Sequence, residues 1–229
     1  SEQVASLGKE IQMKKIIFLI FSLIGMSSCD SDTNRDLSFS EVLTSAGAGK
    51  AGAQDGIGIE ALLNRPHGVA QADSGIVYFA DRGNHQIRSY NPQNAQITTI
   101  AGSGKPQFAD GEGVEASFNQ PIGVAVDCQG SVYVADRENH RIRKIDSRGK
   151  VVTVAGTGVA GFVDGEAMQA QFNQPYGLAL DREEEYLLVA DYLNHSIRRL
   201  DLQTGAVSTL AGNGSAGNID GKGMEARFN

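Results

Sequence analysis

A repeat of about 55 residues constrains this chain more than any other feature. Ala101-Gly102-Ser103-Gly104 opens a unit that passes through Asp110-Gly111, Ala116, Phe118-Asn119-Gln120-Pro121 and Gly123. The pattern returns as Ala155-Gly156-Thr157-Gly158, Asp164-Gly165, Ala170, Phe172-Asn173-Gln174-Pro175 and Gly177. A looser copy starts at Ala46-Gly47 and runs through Asp55-Gly56, Ala61, Leu63-Asn64 and Pro66. Another starts at Ala211-Gly212 and reaches Asp220-Gly221, Ala226 and Phe228-Asn229. The four openings are 55, 54 and 56 residues apart. A second motif keeps the same beat: VYFADRGNHQIR (Val77–Arg88), VYVADRENHRIR (Val132–Arg143) and LLVADYLNHSIR (Leu187–Arg198).

Each unit reads as four short strands, exemplified by Gly123–Val126, Val132–Ala135, the segment around Arg141–Ile145, and Val151–Val154. Turn residues separate them, as at Asp127–Gly130 and Ser147–Gly149, and 28 glycines against 5 prolines suit a chain of many tight turns. The strands are rich in Val and Ile without clean alternation, which predicts sheets covered on both faces. No helical periodicity appears outside the N-terminal apolar run, apart from one expected helical turn at Gly113–Phe118 and its equivalents. Four antiparallel strands at a fixed period describe propeller blades, each too small to hide its own apolar faces. The fold class expected is therefore all-β, a β-propeller of four-stranded blades. Its units span 46–100, 101–154, 155–210 and, in part, 211–229. The loop of roughly 20 residues between Ala-Gly and Asn-Gln-Pro recurs in every unit, so it reads as a fixed structural cap.

The N-terminal segment has another character. Residues 1–12 are polar and match nothing downstream, and read as an upstream extension before a start at Met13. Lys14 and Lys15 precede an apolar run of 11 residues, Ile16–Met26, too short to span a bilayer. Ser27, Ser28 and Cys29 follow, so residues 13–28 read as a signal peptide and residues 29–45 as a polar tether. This ending resembles a bacterial lipoprotein lipobox, which implies cleavage before Cys29, lipidation of Cys29 and an anchor in the bacterial cell envelope. Cys128 then has no partner, no disulfide is expected, and no CxxC or metal-binding spacing is present. The net charge of −7 disfavours nucleic acid as a partner.

Asn84-His85-Gln86-Ile87-Arg88, Asn139-His140-Arg141-Ile142-Arg143 and Asn194-His195-Ser196-Ile197-Arg198 resemble the signature of the NHL repeat. The resemblance spans roughly residues 46–229. It implies a β-propeller, commonly of six blades, used mainly for binding. About three of those blades are present here, and the final copy stops where Gln-Pro is due. The expectation is a C-terminally truncated product with a raw edge.

Residues kept in every unit are expected to serve the blade. Asp81, Asp136 and Asp191 should fold the Asp-x-x-Asn-His turn by accepting backbone N–H bonds, with Asn84, Asn139 and Asn194 beside them. His85, His140 and His195 should each hold their own blade together, and Arg88, Arg143 and Arg198 should pair with carboxylates of neighbouring blades. The Asp-Gly pairs at Asp110, Asp164 and Asp220 read as turns. Gly156-x-Gly158-x-x-Gly161 and Gly212-x-Gly214-x-x-Gly217 match a dinucleotide fingerprint in letters only, because no long amphipathic helix follows, so no nucleotide is expected.

Positions that vary between units are free to serve a ligand. The residue after the motif proline is His67, Ile122 or Tyr176. Tyr192 and Leu193 replace Arg137-Glu138 and Arg82-Gly83. His67, Ile122, Tyr176, Tyr192 and Leu193 are therefore the ligand-face candidates, placed near one channel mouth if the first strand is innermost. The function expected is an envelope-displayed scaffold binding a protein, peptide or glycan, without cofactor or catalytic cluster. The alternative is a metal-dependent propeller enzyme. Pro66-His67-Gly68-Val69-Ala70 is similar to a segment of amidating lyases, and lactonases are also related, which implies calcium or zinc. Ile122 and Tyr176 at the equivalent positions argue against a multi-histidine site.

Overall fold

The computed structural model describes residues 43–229; the signal segment, Cys29 and most of the tether lie outside the described residues. Three antiparallel sheets follow one another along the chain. The first comprises β1 (Gly56–Ile57), β2 (Pro66–Gln71), β3 (Val77–Asp81), β4 (Gln86–Asn91) and β5 (Gln96–Ala101). The second comprises β6 (Gly111–Glu112), β7 (Pro121–Val126), β8 (Val132–Asp136), β9 (Arg141–Ile145) and β10 (Lys150–Ala155). The third comprises β11 (Gly165–Glu166), β12 (Pro175–Leu180), β13 (Tyr186–Asp191), β14 (Ser196–Asp201) and β15 (Ala206–Ala211). The described residues contain no α-helix; the expected turn at Gly113 is a 3₁₀ turn over Gly113–Glu115.

Each sheet carries five strands rather than four. In the second, the order is β6-β10-β9-β8-β7, with the two-residue β6 pairing Lys150 with Glu112 and Val151 with Gly111. The long loop thus crosses from the last strand of one blade, lays a short strand on the outer edge of the next, and continues into that blade's innermost strand. An outer edge that would otherwise present unpaired backbone groups is covered by its own repeat.

The core lies between blades. Period-2 alternation turns Val132 and Val134 of β8 toward the first blade, where they join Ala80, Ile87 and Ala101 with Phe118, Ile145 and Val151. Tyr133 of the same strand joins Ala125, Ile142 and Ala155 against Phe172, Leu187, Val189, Leu200 and Val207 of the third blade. Burying a Val, Leu, Ile or Phe side chain fully contributes about 1.5–3 kcal/mol, so a blade gains most of its stabilisation from its neighbours. The inner strands make this visible. PIGVAV of β7, flanked on both sides, is buried at five of its six positions, whereas PHGVAQ of β2 has none buried, with Val69 69% exposed.

The inner strands β2, β7 and β12 pack edge to edge around the axis. Glycine is required there by close approach. A Cβ on Gly68 would overlap the carbonyl of Ile122 and lie 3.0 Å from Cα of Gly123, and a Cβ on Gly123 would overlap the carbonyl of Tyr176.

Candidate ligand-binding site

Asp81, Asp136 and Asp191, repeated at the end of the second long strand of each blade, are fully buried and surrounded by donors. Asp136 accepts the backbone N–H of Asn119 (2.8 Å), the side-chain amide of Asn139 (2.8 Å) and the Arg143 guanidinium (2.6 Å). Asp81 does the same with Asn64, Asn84 and Arg88. Asp191 binds Asn173, Asn194 and Arg198. Arg88, Arg143 and Arg198 have no solvent exposure. Their carboxylate partners lie in their own repeat, correcting the expectation of neighbouring-blade partners. Each also binds the acid of the Asp-Gly pair: Asp55 (2.8 Å), Asp110 (2.6 Å) and Asp164 (2.6 Å). Those acids are thus more than turn residues. Asp164 also accepts the N–H and hydroxyl of Thr209, tying the cap loop to the outermost long strand. Phe118 and Phe172 lie beneath Arg143 and Arg198, 5.1 and 5.2 Å from guanidinium carbon to ring centre.

The histidines join blades. His85 and His140 take left-handed backbone, and their Nδ1 atoms accept the N–H of Gln120 and Gln174 in the following blade, both at 3.1 Å. This corrects the expectation that each secures its own blade. Burial pulls both imidazoles below the ordinary histidine range, for His140 against the opposing pull of Glu138 and Asp191. The staple needs the neutral ring. Its contribution is complete above the unfolded value of about 6.5 and is lost as pH falls through the lower folded value. Asp136 works in the opposite sense. Burial pushes its carboxyl up to about 6, so proton uptake there favours the native state as pH falls. Global stability therefore mixes the two, and the staple is read at its own amides. Amide exchange protection at Gln120 and Gln174 is expected to fall selectively as the pH is lowered below about 6.5, while that of the β8 core persists. Uniform loss would contradict the staple.

The varied positions converge at the N-terminal ends of the inner strands. The Tyr176 hydroxyl lies 2.9 Å from Nε2 of His67, two blades away, with ring centres 5.3 Å apart. Tyr192 lies 5.7 Å from the Tyr176 ring and is 50% exposed. Arg82 and Arg137, which occupy the Tyr192 position in the other blades, complete a cavity of about 350 Å³ with the two tyrosines. Arg82 holds Gln120 Oε1 at 2.7 Å, and Arg137 holds Gln174 Oε1 at 2.6 Å and Glu138 at 3.1 Å. Leu193 is exposed nearby in sequence, whereas Ile122 is wholly buried and leaves the candidate set, because the middle blade is covered from both sides. A larger cavity, about 840 Å³, is lined mainly by small residues of 44–51 and by Leu63–Pro66 on the uncovered face of the first blade. It gathers none of the varied positions.

These residues do not fit a divalent cation. Both ring nitrogens of His67 are engaged, Nδ1 by the Gly68 N–H and Nε2 by Tyr176, and no carboxylate joins them. Among the described residues no group of three or more His, Cys, Asp or Glu is arranged to hold a metal. Cys128 is free and exposed, and no helix there is long and apolar enough to cross a membrane.

Residues 63–90 and 118–145 match the NHL repeat family. The first two sheets thus each carry a segment that matches the NHL repeat. Over 97 residues it is 41% identical to Protein SUPPRESSOR OF QUENCHING 1, chloroplastic, of Arabidopsis thaliana, covering 42% of this chain and 9% of that protein. Over 159 residues it is 32% identical to NHL repeat-containing protein 2 of Bos taurus, covering 64% of this chain and 22% of the relative. The chain thus spans less than a quarter of the length of either relative. Among solved structures, the NHL blades superpose on a structural genomics protein of unknown function from Bacteroides thetaiotaomicron, with TM-score 0.59, 25% identity, and 72% of this chain and 40% of that one covered. An auxiliary nutrient binding protein from the same organism matches with TM-score 0.56 and 24% identity over 72% and 41% of the two chains. That second likeness speaks to the fold. The three sheets are propeller blades in an open, unclosed arrangement, and the first two hold the segments that match the NHL repeat.

Proposed function

We propose that this NHL propeller is a binding scaffold displayed on the bacterial cell envelope through a lipid on Cys29, and that its ligand seats at the mouth formed by His67, Tyr176, Tyr192, Arg82 and Arg137. One observation carries the reading. The acids and arginines repeated in every blade are consumed in buried clamps, while Arg82, Arg137, Tyr176 and Tyr192, at positions that vary between blades, gather around one cavity. Small-ligand sites are concave, with a few convergent polar groups among aromatic side chains.

The test is direct. The full chain is applied to panels of immobilised glycans and peptides, and the bound member is then titrated against three variants. His67→Ala, Tyr176→Ala and Tyr192→Ala are each expected to weaken binding roughly tenfold, about 1.4 kcal/mol. Unaltered affinity in all three would remove the mouth as the site. The envelope address has its own check: metabolic labelling with a radioactive fatty acid should mark the wild-type protein and leave Cys29→Ala unlabelled.

A further inference from the structure

The mouth is rich in hydrogen-bond donors, and its nearby acceptors are already in use. The Gly68 N–H donates to Nδ1 of His67 at 2.9 Å, so that nitrogen carries no proton and the neutral ring is protonated on Nε2. Nε2 therefore donates to the Tyr176 oxygen, 2.9 Å away, and the tyrosine's own proton is left for a ligand. Arg82 engages Gln120 through Nε and one terminal nitrogen, at 3.2 and 2.7 Å, and keeps its remaining N–H groups. Arg137 engages Gln174 and Glu138 through its two terminal nitrogens, and its buried Nε has no partner. The side-chain carbonyls of Gln120 and Gln174 are committed to these arginines, and the carboxylate of Glu138 is shared between Arg137 and the Gln174 amide. Tyr192 adds an exposed ring beside Tyr176.

Resting on the mouth as the ligand site, we infer that it recognises an acidic saccharide. The sugar carboxylate sits among Arg82, Arg137 and the Tyr176 hydroxyl, and the sugar ring lies against Tyr192. Guanidinium groups match a carboxylate in geometry and charge. The body of the protein is acidic, with net charge −7, so a compact single anion suits a local basic spot better than an extended polyanion. A peptide would bring N–H donors that need acceptors, and those beside the arginines are taken. Sugar hydroxyls both donate and accept. The cavity of about 350 Å³ is at the small end of ligand sites and suits one or two sugar rings.

Calorimetric titration of the full chain with the methyl glycoside of galacturonate and with its methyl ester, which keeps the ring without the charge, tests the inference. The acid should bind at least tenfold more tightly than the ester. Arg82→Gln and Arg137→Gln should each weaken acid binding about tenfold and shrink the preference for acid over ester, while an unchanged urea midpoint shows that the blades remain assembled. Tyr192→Ala should weaken both. Equal affinity for acid and ester would overturn the carboxylate assignment, and if that affinity still fell with Tyr192→Ala the mouth itself would stand. Binding of neither sugar by the wild type would overturn the saccharide assignment, as would binding of an acidic peptide in their place with the same arginine dependence.

Discussion

Asp136→Ala should lower the free energy of unfolding by about 3–5 kcal/mol, the cost of removing one member of a buried, hydrogen-bonded ion pair. Three donors converge on this carboxylate, and neither it nor Arg143 has any exposed side-chain surface. The change strands the Asn119 N–H, which fixes the entry into β7, and leaves the Asn139 amide, which fixes the turn after β8, with the Gln107 carbonyl as its remaining partner. It also leaves Arg143 with Asp110 as its one carboxylate partner, beside the carbonyls of Ser117 and Ala109. Asp110 makes an equally short contact, 2.6 Å, but is 44% exposed, and its loss leaves Arg143 paired with Asp136. Asp110→Ala should therefore cost only about 1 kcal/mol. Urea unfolding of the full chain reads both values, and the midpoint of thermal unfolding should move about 2–4 °C per kcal/mol. If Asp110→Ala proved the more damaging, the buried carboxylate would not be the organising centre of the blade.

Much of this architecture was legible in the repeat. The spacing of Asp136, Asn139, His140 and Arg143 marks a strand, a tight turn and a second strand, and the structure places β8 and β9 there. The fifth strand was not legible. Gly111-Glu112 is two residues long, and no period-2 pattern shows in two residues. It forms because the cap loop must cross the outer edge of the blade on its way inward. The partners of the conserved arginines were misjudged for a related reason. Asp110 and Arg143 are 33 residues apart in one unit, and only the path of the cap loop reveals that they meet.

At the mouth, variation between repeats was the informative signal. His67, Tyr176 and Tyr192 stand at positions with no fixed residue type, and they meet although His67 and Tyr176 are 109 residues apart in sequence. The same signal failed for Ile122, because a position can vary while buried: what it faces depends on whether a blade stacks on either side. Arg82 and Arg137 entered the sequence reading as the residues that Tyr192 replaces, and their place in the cavity follows from that equivalence. The inter-blade reach of His85 and His140 had no sequence signal. Nothing in a histidine after asparagine says that its Nδ1 meets an amide 35 residues later in the next blade.

Gly123→Ala should both destabilise the chain and dismantle the mouth. The added methyl would overlap the Tyr176 carbonyl and lie 3.1 Å from the Tyr176 carbonyl carbon and 3.2 Å from the Leu178 nitrogen. All three are backbone atoms of β12, so no side-chain rotation relieves the contact, and the third blade must move outward. Overpacking of this kind costs about 1–3 kcal/mol, occasionally more. Gly177→Ala is the control in this 229-residue chain: its methyl would meet only the Ala190 side chain at 3.6 Å, an ordinary contact. That change should stay within about 0.5 kcal/mol. Outward movement of β12 carries Tyr176 away from His67, whose contact at 2.9 Å spans the first and third blades across β7. Any ligand read by that pair should be lost to a greater degree than the stability change alone explains. Urea unfolding gives the first quantity. Titration of the ligand identified from the panels, at a temperature where both variants are fully folded, gives the second. A Gly123→Ala protein with native stability and native affinity would mean that the inner strands are not in backbone contact, and the mouth would lose the physical basis for holding residues from separate blades together.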